Sequence, residues 1–206
     1  MNRLGVLFVS AIFATAMPSA ARAADPRYPD WPCVQAKVPE LSVGAMWDGP
    51  SIADVGNSWQ DDPKIKDLVA LLAARRTPLD AAKKAIDEFL AAIAPSDKQS
   101  AATKLFAGLF DTLNQQRSEI MDGIERVSRN EKELADKIKS DVESLHRLED
   151  KPNQDPSKVN DLASRVEWST RIFEDRRKTI RYVCEVPTTI EQRLFALARA
   201  IRQNLN

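Results

Sequence analysis

A single histidine, two cysteines and six glycines among 206 residues close most routes to catalysis in this chain. With His146 alone, neither an imidazole-based metal cluster nor a Cys–His dyad can be assembled without ligands from elsewhere. It sits beside Leu145 in a charged stretch and reads as an exposed surface residue. Cys33 and Cys184 are too far apart for a C-x-x-C redox pair, and no C-x-x-C-H haem-attachment site occurs. The glycines form neither a phosphate-binding loop nor a G-x-S-x-G elbow, and those from Gly44 to Gly56 have unsuitable spacing. Asp48 to Asp54 lacks the alternating oxygen ligands and closing Glu of a calcium loop. Adjacent acids (Asp61 with Asp62, Asp87 with Glu88, Glu174 with Asp175) point about 100° apart on a helix and cannot share one substrate bond. The expectation is a non-enzymatic protein with no catalytic residue, no metal and no cofactor.

An excess of one charge sign is also missing: Lys and Arg total 30, and so do Asp and Glu. This balance argues against bulk electrostatic binding of nucleic acid or of an anionic membrane. Only one long apolar-to-small run exists, from Leu4 to Met17, and it is flanked as a leader is. Arg3 supplies the basic start, and Ala21, Arg22 and Ala23 form an A-x-A cleavage signal. The run is about 14 residues, short of the roughly 20 that cross a bilayer. Residues 1–23 therefore read as a signal peptide cut before Ala24, with export to the periplasm or the exterior and no transmembrane segment afterwards. The leader takes two cations and no acid with it, so the formal charge moves from +0 to −2.

Export decides the state of the two sulfurs. In an oxidising compartment Cys33 and Cys184 are expected to form one disulfide. The closed loop of about 150 residues corresponds to about 5 kcal/mol in the chain-entropy treatment. A lipoprotein cysteine would sit directly at the cleavage site, which Cys33 does not.

What the chain does contain is helix signal, preceded by one region that resists it. Residues 24–62, with Pro63 at their border, hold Pro26, Pro29, Pro32, Pro39 and Pro50 and three of the four tryptophans. This reads as an extended segment packed on a helical base, too aromatic for a disordered leader. Trp31, Trp47 and Trp59 are expected to be buried; the functional alternative is a stacking platform for a ring-bearing ligand.

Residues 63–206 read as an all-α domain. Pro63 opens a helix with apolar Ile65, Leu68, Val69, Leu71 and Leu72. Thr77, Pro78 and Asp80 signal the start of the next, whose stripe is Ile86, Phe89, Leu90 and Ile93. Ser96 with Gln99 reads as a capping box for a third that meets no proline until after Asp150. Gly108 and Gly123 are its weak points, each costing about 1 kcal/mol relative to Ala.

Beyond the apolar stretch Leu105 to Leu113, an alternating 4 and 3 spacing runs through Ile120, Ile124, Val127, Leu134, Ile138, Leu145 and Leu148. Val159, Leu162, Val166, Ser169, Phe173, Ile180 and Val183 repeat it after the turn containing Pro152 and Pro156. Two such seams predict an antiparallel, coiled-coil-like helical hairpin over 97–183, with Glu131 or Asp141 available to pair with Arg176. Thr188 and Glu191 read as the capping box of a terminal helix over 188–203, with Ile190, Leu194, Phe195, Leu197, Ala198 and Ile201 on its packing side.

Two functional expectations follow. The first is an exported helical interaction or scaffold protein that presents its hairpin to an envelope protein partner, with homo-oligomerisation left open. Arg171, Arg176, Arg177, Lys178 and Arg181 are its candidate docking residues for an acidic partner, although cations near a helix C-terminus also stabilise the helix itself. The second is a carrier of a small apolar ligand, held at the base among Phe89, Phe106, Phe110, Phe195 and the tryptophans.

Overall fold

The computed structural model describes residues 25–205; the predicted leader and its cleavage site before Ala24 lie outside the described residues. The protein is all-α, with no strand among the described residues. Its helices are α1 (Val43–Met46), α2 (Pro63–Ala73), α3 (Leu79–Ala91), α4 (Pro95–Glu149), α5 (Pro156–Val183) and α6 (Val186–Gln203), with a 3₁₀ turn at Ser58–Asp61. No described helix is long and apolar enough to cross a membrane.

The apolar stripes close on one another as the 3.6-residue period requires. Ile65, Val69 and Leu72 of α2, Ile86 and Leu90 of α3, Leu105, Phe106, Leu109 and Leu113 of α4, and Ile190, Leu194, Leu197 and Ile201 of α6 are all almost fully buried in one core. α4 is its axis, packing against α2, α5 and α6, while α3 packs on α6. Arg193 ties α6 to the end of α2, its Nε donating to the Leu72 carbonyl at 2.8 Å and its Nη2 to the Thr77 carbonyl at 3.0 Å. This satisfies a carbonyl that a helix C-terminus leaves without an internal donor.

Several local expectations are corrected. The capping boxes at Ser96 and Thr188 do not form, and Thr77 caps nothing: α3, α4 and α6 begin without a side-chain cap. The prolines set these starts instead. Pro95 is the first residue of α4 and Pro187 the second of α6, positions where a missing N–H costs nothing, so the helices begin before the expected caps and the box residues fall inside the first turn. Glu191 is thereby freed to pair elsewhere. Side-chain caps occur at Asp62 and Asp155, each directly before a proline.

The 24–62 segment is not wholly extended, because α1 and the 3₁₀ turn interrupt it. Four expected packing residues also stand at the surface: Phe195 is 46% exposed with the Arg199 guanidinium over its ring, Leu71 is 47% exposed, and the seam residues Val127 and Val183 are 42% and 37% exposed. Leu194 and Leu72, one residue away, take the inward directions.

α4 runs without a break for 55 residues, about 80 Å at 1.5 Å per residue. Its buried residues all fall between Ala102 and Glu131, and α5 has none. The two helices pack along each other and are joined by the Glu131–Arg176 pair, while Ile120, Ile124, Val127, Ile180 and Val183 line a groove between them.

Candidate functional site

The N-terminal segment forms a strap along α4, and charge holds it there. Lys132 Nζ donates to the Pro29 carbonyl at 2.7 Å and to Asp30 Oδ1 at 2.8 Å. Lys37 Nζ donates to Glu125 Oε1 at 2.6 Å. Arg117 Nη2 donates to the Val38 carbonyl at 2.6 Å and Nη1 to the Pro39 carbonyl at 3.3 Å. Its Nε meets Glu191 Oε1 at 2.6 Å, so one buried guanidinium joins the strap, α4 and α6. The contacts at 132, 125 and 117 step down one face of α4 two turns at a time, so the strap runs antiparallel to the helix. Cys33 and Cys184, with Cα atoms 5.5 Å apart, fix it covalently to the end of α5.

None of these polar anchors is apparent from the sequence except the cysteines. One signal was present: Arg117 continues the four-residue apolar step Leu113, Arg117, Met121, and a charge in a buried stripe implies a specific partner.

The three candidate stacking residues do not share a face. Trp47 is buried and already stacked on Phe106, with centroids 4.3 Å apart, and its indole donates to the Pro50 carbonyl at 2.7 Å. Trp59 is buried against Gly108, and its indole donates to Asp111 Oδ2 at 3.1 Å. Trp31 is half-buried in the strap and donates to the Gln35 carbonyl at 2.7 Å. The exposed indole is Trp168 on α5, at 63% exposure.

The five α5 cations are all exposed, and the fold divides them. Arg171 pairs with Glu167 at 2.9 Å and Lys178 with Asp175 at 3.2 Å, both within their own helix. Arg176 crosses to Glu131 at 3.2 Å, while Asp141 pairs locally with Lys137 at 2.7 Å. Arg176 also borders a mainly apolar groove of about 400 Å³ with Ile120, Ile124, Val127, Ile180 and Val183. Arg177, its guanidinium 5.6 Å from the Phe173 ring centre, and Arg181 line a second cavity of about 280 Å³ on the strap side, with Glu131 and Lys132.

Among the described residues no three His, Cys, Asp or Glu side chains come close enough to hold a metal ion. Comparison with known protein families, with curated proteins and with solved structures finds no match to this chain.

Proposed function

We propose that this is an exported, non-enzymatic helical interaction or scaffold protein, in which α4 and α5 form an antiparallel hairpin with coiled-coil packing that is presented to a protein partner of the cell envelope. The observation that carries this reading is the change in α4 at Glu131. Before it the helix is the axis of a core; after it neither α4 nor α5 has a buried residue, yet both continue for many turns. The half-buried seam of Leu134, Ile138, Leu145 and Leu148 supports pairing of two helices and little more. The exposed Trp168 is the kind of residue that anchors interfaces. Export accords with the disulfide, which persists in oxidising compartments.

The test is to replace Leu134 to Val166 by a short Gly-Ser turn. The shortened protein is expected to keep its disulfide and a cooperative thermal transition while losing the partner crosslinked to the full-length form in the exported fraction. Unfolding of the whole molecule would make the hairpin part of the core and end this reading. The apolar-ligand carrier has less support, since Trp47 already occupies the stacking face of the fully buried Phe106.

A further inference from the structure

One face of α4 is left uncovered between its core segment and the distal hairpin. At about 100° per residue, Glu119, Ile120, Gly123, Arg126 and Val127 share one side of the helix. Arg117, Glu125 and Lys132, which hold the strap, lie on the far side. Ile120 and Val127, the latter 42% exposed, form one edge of the uncovered face. They open into the mainly apolar groove of about 400 Å³, whose other bank is Thr179, Ile180 and Val183 of α5. Glu119 and Arg126, both exposed, form the second edge. Neither enters an ion pair among the described residues, and Glu119 accepts a hydrogen bond from Gln115 Nε2 at 3.0 Å. Seven residues separate them, too far for a pair within one helix. Gly123 lies between the two edges. A β-carbon there would meet Arg126 Nη2 at 3.7 Å, an ordinary contact, so the glycine is not required by the chain's own packing and leaves its backbone open to close approach.

We propose that this face pairs with the same face of a second copy of the chain, the two α4 helices running antiparallel about a two-fold axis at Gly123. The pattern is self-complementary, as a two-fold interface requires. Glu119 lies four residues before Gly123 and Arg126 three after, so the acid of each copy falls beside the guanidinium of the other, twice per dimer. Exposed Asn130 and half-buried Gln116, seven residues to either side of Gly123, bring two amides together by the same symmetry. On the apolar edge, Ile120 and Val127 of one copy cover those of the second and close the groove in which Val183 is 37% exposed. A second copy thus supplies both missing charges at the required spacing, together with the apolar surface that the groove lacks. The interface lies before Leu134 and does not depend on the hairpin meeting an envelope partner.

Sedimentation equilibrium of the purified, oxidised protein from about 1 μM to about 1 mM tests it, and a monomer–dimer equilibrium is expected. Arg126→Glu alone and Glu119→Arg alone each set like charges together at both symmetric sites, and each is expected to weaken dimerisation at least about tenfold. The double variant exchanges the two charges and restores opposite signs across the axis, so dimerisation is expected to recover. Within one chain the two positions do not touch, and a change in helix stability cannot produce that recovery. Gly123→Lys fills the axis position and is expected to dissociate the dimer as well; it decides if a charge variant fails to fold. A monomer throughout the concentration range, a dimer unchanged by these single substitutions, or a double variant no better than the single reversals overturns the proposal.

Discussion

Gly108 shows how a single residue can carry opposite signs in sequence and structure. In an isolated helix it is a defect, and alanine would gain about 1 kcal/mol. In the folded protein a β-carbon there would lie 2.8 Å from atoms of both Trp59 and Val69, closer than side-chain carbons approach. Gly108→Ala is therefore expected to lower stability by about 1–3 kcal/mol, as overpacking does, and urea unfolding reads the sign directly. Asp30 acts at the same scale through charge. The hydrogen bond from Lys132, and after it that from Arg129, holds its carboxyl below the ordinary range against the opposing effect of desolvation. A value lowered by folding means that the stabilisation is complete above the unfolded value of about 3.9 and fades as pH falls through the folded one. The strap near Trp31 should thus stay unchanged from neutral pH down to about pH 5 and loosen only below about pH 4. NMR titration of the Trp31 indole proton checks this, and a transition near neutrality would contradict it.

Among the elements, the helix starts separate what a linear pattern encodes from what it leaves to competition between signals. Asp62 accepts from the backbone N–H groups of Lys64 and Ile65 at 2.9 and 3.3 Å, whereas Ser96 is an exposed residue inside the first turn of α4. Asp62→Ala is expected to cost about 1 kcal/mol, while Ser96→Ala stays within about 0.5 kcal/mol; thermal melts of the two variants make the comparison. At the starts of α4 and α6 the sequence shows both a proline and a capping box but does not rank them, and proline's fixed φ wins; at Asp62 the cap and Pro63 agree. The core elements were legible because burial repeats with the helix period: Ile65, Val69 and Leu72, or Leu194, Leu197 and Ile201, announce a face without reference to anything distant. The strap was not legible in this way. Lys37 meets Glu125 and Arg117 meets Val38 across separations of 88 and 79 residues, and no local period records such a pairing. The α5 cations were visible as a cluster, but only the fold directs Arg177 and Arg181 to one wall and Arg176 to the other.

For the molecule as a whole, the disulfide spans 151 residues of sequence and ties to the end of α5 a strap that ion pairs already hold to α4. Two contributions can therefore be separated. Cross-linking so long a loop restricts the unfolded chain and adds up to about 5 kcal/mol, while the solvent-facing pairs at Asp30 are screened by water and add little. With both cysteines replaced by serine, the core around Phe106 and Leu194 loses no apolar contact, so a folded state is expected to survive with unfolding free energy lower by about 3–5 kcal/mol. The strap is different, since its grip then rests on the contacts of Lys132, Lys37 and Arg117 alone. In native-state hydrogen exchange the Trp31 amide, bonded to the Tyr28 carbonyl at 3.0 Å, should lose protection through a local opening, while α4 amides between Leu105 and Leu113 exchange only through global unfolding. If instead strap and α4 amides lose protection together, the strap is part of the cooperative core. The covalent link would then be stabilising a structure that its polar contacts and packing already make indivisible.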